Sequence, residues 1–214
     1  MSRVGYFNFI KTKMNQTASI VESSWLSRPS PMVAPDLIGC TLVRHFPTGS
    51  ILRGLIVETE AYAPGDPACH AYRRPTPRNR VMFGPAGIAY VYLIYGRYCC
   101  LNVVTDREQV PSAVLIRAVE LLPQSAATQP GQPDPRCAAG PGKLCQVMQI
   151  TPALWGEPLE PGRSLWLEHR TPDLQVQLAS QNGALIQTTR IGLTQGKDLP
   201  WRWYLKNSKA VSRR

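Results

Sequence analysis

The chain has no long apolar run. The longest, such as Ile88–Tyr95, fall far short of the roughly 20 residues a membrane span needs, and their tyrosine and valine content reads as strand. A metal-ligand pattern is also missing. Six cysteines (Cys40, Cys69, Cys99, Cys100, Cys137, Cys145) form no C-x-x-C pair, and three histidines (His45, His70, His169) stand far apart. That leaves no zinc motif, so no metal and no other cofactor is expected. Met1–Asn15 is polar and basic, without the apolar centre of a secretory leader. Free thiols in a reducing cytosol are the matching expectation. Charged residues are sparse, at 18% against a usual roughly 25%. Lysine is absent from Arg53 to Gly142, where every basic residue except His70 is arginine.

Proline and net positive charge are what the chain has in plenty. Its 20 prolines in 214 residues, about twice the average frequency, predict short elements joined by rigid loops. That length fits one domain with a sizeable core. The net charge of +10 favours a polyanionic partner. With no apolar span and no basic amphipathic helix, nucleic acid is a better partner than a membrane surface.

Along the chain, residues 1–30 lack periodicity and read as a poorly ordered extension to a domain spanning 31–214. From Asp36 a helical turn gives way to a strand. Leu52–Glu60 is a strand interrupted by Gly54, and Ala63–Pro77 is loop. Tyr90–Val104 reads as two strands turning near Gly96, and Ser112–Val119 as a further strand. The Pro/Gly-rich stretch Leu122–Gly142 is a surface loop, and a short helix begins at Lys143. The rest reads as short strands, with Asn182-Gly183 a hairpin turn. The expected class is α+β: a single mixed domain on a largely antiparallel sheet, with short helices and a protruding β-hairpin.

Chemistry concentrates between Val57 and Arg117. Glu58 and Glu60 are two residues apart, so on a strand they share a face about 6–7 Å apart. Such a pair can separate its pKa values and supply a general base, or it can simply pair with arginines. In basic surroundings meant for phosphates, a carboxylate opposes binding unless it does chemistry. Tyr90 and Tyr92 share one face of their strand; they suit either ordinary packing or base stacking. Gly96 allows a sharp turn that puts Tyr95 and Arg97 at a hairpin tip, resembling the wedges that minor-groove proteins insert between base pairs. Arg78 and Arg80 suit phosphate contact. The missing lysines disfavour an amine nucleophile and favour attack by water, although Lys143 could reach the site; its simpler reading is a phosphate contact at a helix start.

Four motifs, Val57-Glu58-Thr59-Glu60-Ala61-Tyr62, Thr76-Pro77-Arg78-Asn79-Arg80, Tyr90-Val91-Tyr92-Leu93-Ile94-Tyr95-Gly96 and Gly140-Pro141-Gly142-Lys143-Leu144-Cys145, resemble the alkyladenine (3-methyladenine) DNA glycosylase family in content and order. The resemblance runs from about Ala34 to Ser212. It implies a monofunctional enzyme, acting as a monomer, that flips alkylated or deaminated purines out of duplex DNA and hydrolyses the N-glycosidic bond. Glu60 would activate the water and Arg117 position it. Tyr62, His70 and Tyr92 would wall the base pocket, Asn102 would sit at its floor, and Tyr95 would fill the gap left by the flipped nucleotide. Three departures from the family pattern stand out. The Ala63–Cys69 loop is a residue shorter than in vertebrate members, which bears on where His70 sits. Arg97 replaces an apolar hairpin residue, adding phosphate attraction. A Pro/Gly loop after Leu122 replaces a helical insertion, which bears on DNA contacts rather than chemistry. The alternative is a DNA-binding protein that recognises damage or distortion without excising a base.

Overall fold

The computed structural model describes residues 19–123, 134–180 and 184–214. Its central element is strand β2 (Ile51–Tyr62), buried without a break from Gly54 to Ala61. Apolar and β-branched residues supply most of that run, as a strand covered on both faces requires. Gly54 leaves room for a neighbour, since a Cβ there would come within 2.7 Å of the Val119 side chain. Within the run Glu58, Thr59 and Glu60 are polar and completely buried. Burial on that scale needs partners for every charge.

One edge of β2 pairs with β5 (Ala113–Leu121). The other edge is shared: β1 (Thr41–His45) takes its first half and β8 (Arg202–Leu205) its second. Beyond β5 the sheet continues through β4 (Tyr98–Val104) to β3 (Ala89–Ile94); β6 (Leu165–Glu168) lies beyond β1, and β7 (Leu185–Thr188) beyond β8. All these ladders are antiparallel. The helices are short: α1 (Ser23–Leu26), α2 (Ser30–Leu37), α3 (Pro141–Val147) and α4 (Pro172–Ser180). The expected α+β class therefore holds, and so do the expected hairpin and the helix after Gly140. Helix α2 is fixed to β2 by two side chains: Thr59 Oγ1 donates to the Ala34 carbonyl at 2.9 Å, and Ser30 Oγ to that of Tyr62 at 2.9 Å.

The main core packs α2, α3 and the sheet around Leu37, Ile56, Leu101, Ile116 and Leu144. A smaller cluster holds Met82, Tyr90, Val104 and Ala113, with Tyr62 and Tyr92 packed against it. This second cluster carries the site.

Several expectations need correcting. Residues 19–30 are not loose: Val21 and Leu26 are buried, and the Val21 N–H donates to the Leu167 carbonyl at 2.9 Å. Only residues 1–18 of the expected extension lie outside the described residues. The stretch before Asn182 is helix α4 rather than a strand, and Asn182-Gly183 itself lies outside the described residues. A start signal was present in Thr171-Pro172-Asp173: Thr171 Oγ1 accepts the Leu174 N–H at 3.3 Å, with proline in the first turn. Residues 124–133 of the Pro/Gly stretch lie outside the described residues, but its last part packs, with Ala138 fully buried and Ala139 bridged to Ala118 of β5.

Candidate active site

Glu60, on β2, has three neighbouring donors. The Tyr62 hydroxyl donates to Oε2 at 2.8 Å, Arg117 Nη1 stands 3.2 Å from Oε2, and the backbone N–H of Ile191 donates to Oε1 at 2.8 Å. A carboxylate oxygen has two lone pairs, so Oε1 has the bonding capacity for a further donor. Glu58 lies deeper in the network. It accepts Arg117 Nε at 3.2 Å, Arg202 Nε at 2.7 Å, and both the N–H and the hydroxyl of Ser212 at 2.7 and 3.0 Å. Both carboxylates thus reach Arg117, as two residues on one face should. The ladder helps: register shifts on either side of Glu58 leave Arg117 between paired residues of β5, a bulge of the kind that re-aims side chains near functional sites. The plain alternative of pairing with arginine describes Glu58, which meets two guanidinium groups, and Glu60 shares one of them.

Burial opposes the charge on Arg117, yet the adjacent Glu60 and Glu58 carboxylates outweigh it and hold its pKa above the ordinary value. Arg117 is therefore a permanent cation. Burial, reinforced by the neighbouring Glu60 charge, pushes the Tyr62 phenol well above its usual range. Tyr62 stays protonated and remains an obligate donor to Glu60.

Tyr62 and Arg117 both line a cavity of about 450 Å³ whose wall also includes His70, Tyr90, Tyr92 and Asn102. That volume falls among small-molecule sites, about 300–1,000 Å³. Tyr90 and Tyr92, which alternation puts on one face, have ring centroids 5.2 Å apart; the His70 ring meets Tyr92 edge-on at 4.5 Å. His70 Nδ1 lies 2.9 Å from the Tyr90 hydroxyl. Burial and the nearby Arg78 lower the His70 pKa, which leaves the imidazole neutral at pH 7. Burial raises Tyr90 to about 12 and also raises Tyr92. Asn102 sits opposite Tyr90 in the β3–β4 ladder and donates its amide to the Tyr90 carbonyl at 3.1 Å, which fixes its orientation. Tyr62, His70 and Tyr92, expected as walls, and Asn102, expected at the floor, therefore meet at one cavity, the shorter Ala63–Cys69 loop notwithstanding.

The β3–β4 hairpin rises from the rim of this cavity. Ile94 pairs with Tyr98, leaving Tyr95-Gly96-Arg97 as the turn. Tyr95 is 88% exposed and takes a left-handed φ of 52°, a conformation a bulky side chain adopts at a cost. Arg97 stacks over Tyr98 at 5.4 Å, Arg78 over Tyr92 at 5.2 Å and Arg80 over Trp155 at 5.2 Å. Arg78 also donates to the Leu93 carbonyl at 3.0 Å, bracing the hairpin. Lys143 is exposed on α3, next to Gly142, where an added Cβ would come within 3.1 Å of the Tyr98 side chain. The four expected phosphate contacts thus stand on the surface, and three of them lie against aromatic rings.

Sequence reasoning missed four contacts of this network. Ile191 acts through its backbone N–H, which no residue type announces; with Gly192 and Leu193 it also lines the cavity. Tyr90, read as a packing or stacking residue, also contacts His70 through its hydroxyl. Ser212 and Arg202, which no motif singles out, close the shell around Glu58.

The site is thus an aromatic-walled cavity backed by a buried carboxylate–arginine network, beside an exposed hairpin that carries arginine. The model of the methylpurine-DNA glycosylase family matches residues 24–209, and the chain belongs to that family. It is thus a DNA glycosylase. Similar proteins include one from Trichodesmium erythraeum, 56% identical over 91% of this chain and 98% of its own length. Others come from Synechococcus sp. (53%; 88% and 96%) and Methanoculleus marisnigri (48%; 90% and 98%). Each bears the name "putative 3-methyladenine DNA glycosylase". Among the described residues no helix is long and apolar enough to cross a membrane.

Proposed function

We propose that the protein removes alkylated or deaminated purines, such as 3-methyladenine, from duplex DNA by base flipping and hydrolysis. The observation that carries this reading is the position of Glu60: it is fully buried, and two cavity-lining residues, Tyr62 and Arg117, bond it from the cavity side. Extruding a nucleotide costs a few kcal/mol. The rings of Tyr62, Tyr92 and His70 take up the base and offset part of that cost by stacking, worth roughly 1–3 kcal/mol per base. A cationic alkylpurine gains further from the tyrosine faces. Water hydrogen-bonded to the free position on Glu60 Oε1 attacks the sugar carbon as the bond to the base breaks. Glu60 takes the proton, and Arg117 holds both the carboxylate and the water. The base leaves with the bonding electron pair, so the products are a free purine and an abasic site in an unbroken strand. The cavity lining contains arginine and, among the described residues, no lysine. That supports water, rather than an amine, as the nucleophile.

The test uses an end-labelled duplex carrying a single hypoxanthine or ethenoadenine. Alkali-labile strand breaks at that position are the expected result; a duplex left intact by the wild-type protein rejects the enzymatic reading. A protein–DNA adduct trapped by borohydride would reject the hydrolytic route.

Tyr95 serves as the wedge that occupies the vacated stack, and Arg97, Arg78, Arg80 and Lys143 bind flanking phosphates. Tyr95→Ala should weaken binding to a lesion in duplex DNA by about 1–3 kcal/mol. Binding to the same lesion in a single strand, where no gap needs filling, should change far less. Equal losses on both substrates, read from titrations of a fluorescent oligonucleotide, would reject the wedge.

A further inference from the structure

One buried ion pair beside the site has no role in the reaction as set out above. The side chains of Arg190 and Asp66 are completely enclosed. Arg190 Nη2 donates to Asp66 Oδ1 at 2.9 Å, and Nη1 bonds Oδ2. Two further guanidinium hydrogens go to backbone, Nη1 donating to the Ala61 carbonyl at 2.8 Å and Nη2 to the Gly196 carbonyl at 3.1 Å, while Nε has no hydrogen-bond partner among the described residues. One side chain therefore joins the end of β2, the loop that follows it, and the segment between β7 and β8.

These contacts converge on the support of Glu60. Arg190 precedes Ile191, whose N–H holds Oε1. Its guanidinium carbon lies 4.7 Å from the centre of the Tyr62 ring, whose hydroxyl holds Oε2. It also anchors Ala61, the residue after Glu60. A buried ion pair is an inefficient way to stabilise a fold, because desolvation cancels much of the attraction. What this one supplies is geometry, since a planar fork can satisfy two carbonyls and a carboxylate together. Gly196 closes over the pair so tightly that a Cβ there would come within 2.8 Å of Asp66 Oδ1 and 3.0 Å of Arg190 Nη2, at a φ of +61°.

We propose that Arg190 and Asp66 are positioning residues for the glycosylase chemistry, holding Tyr62 and the Ile191 N–H so that the Glu60 carboxylate stays fixed beside the cavity. This rests on Glu60 being the base.

The test is single-turnover excision of hypoxanthine from a duplex, with enzyme in excess, alongside affinity for the same duplex. Arg190→Lys keeps a charge opposite Asp66 but cannot bridge Ala61 and Gly196. Its rate constant should fall on the order of 100-fold, the scale of a small misplacement of reacting groups. Affinity should be unchanged. Gly196→Ala keeps both charged residues and should slow the step in the same direction by less. A merely structural pair predicts the opposite pattern: fewer active molecules, seen as a lower reaction end point, with the rate constant intact. That result overturns the proposal. If Arg190→Lys does not fold, Gly196→Ala decides: a slower step supports the proposal and an unchanged one rejects it. Wild-type protein that excises nothing rejects the enzymatic reading instead, so the two failures are distinct.

Discussion

Glu60→Gln should abolish excision and leave lesion binding in place. General-base catalysis contributes about 10²–10⁴-fold, and the rate constant should drop by that amount. The amide keeps the size of the side chain but cannot take a proton from water. It also sets an NH₂ group against donors: one carboxylate oxygen faces the Ile191 N–H, the other faces Arg117 and the Tyr62 hydroxyl. The hydroxyl can rotate to accept, and Arg117 keeps Glu58 as a charge partner, so the cavity wall survives. Gel-shift titration against a hypoxanthine duplex should give wild-type affinity, while single-turnover excision becomes too slow to follow. Excision at the wild-type rate would remove Glu60 from the chemistry. Loss of binding together with excision would mean that the residue holds the pocket rather than driving the reaction.

What could be read from the sequence divides along physical lines. The β3–β4 hairpin was legible because its information is local: alternating tyrosines set the faces, and Gly96 set the turn. Strand β2 was legible for the same reason, through its apolar, β-branched run. The pocket roles of Tyr62, His70, Tyr92 and Asn102 came from a family resemblance, and the fold brings all four to one cavity. Long-range partners left no such trace. Glu60 meets Ile191 and Asp66 meets Arg190 across more than a hundred residues, and one of those contacts uses only backbone. Nothing in the sequence separates the arginines of the C-terminal stretch, yet Arg190 and Arg202 are buried while Arg213 and Arg214 are exposed. Net charge cannot separate a phosphate-binding arginine from one neutralising a buried carboxylate. Helix α4 was missed because Asn182-Gly183 outweighed a quieter cap at Thr171.

The two glutamates that look equivalent in sequence should separate cleanly in the laboratory. Glu58→Gln should cost stability rather than chemistry. Glu58 is completely buried among donors, two of them guanidinium groups, and with Glu60 it balances Arg117 and Arg202, two negative charges against two positive. Removing one charge leaves that largely buried network with an excess cation. Breaking a buried pair in this way costs about 3–5 kcal/mol. For a chain of this size the melting temperature should fall by on the order of 10 °C. The Ser212 N–H and hydroxyl lose an ionised acceptor as well, so the C-terminal segment should become more open to carboxypeptidase. Below its melting transition the variant should still excise hypoxanthine, because Glu60 keeps its donors from Tyr62, Ile191 and Arg117. Thermal unfolding followed by circular dichroism, paired with excision at low temperature, checks both halves. A folded Glu58→Gln protein without activity would move the base to Glu58. An unchanged melting temperature would mean that Arg117 and Arg202 find compensation that the static structure does not contain.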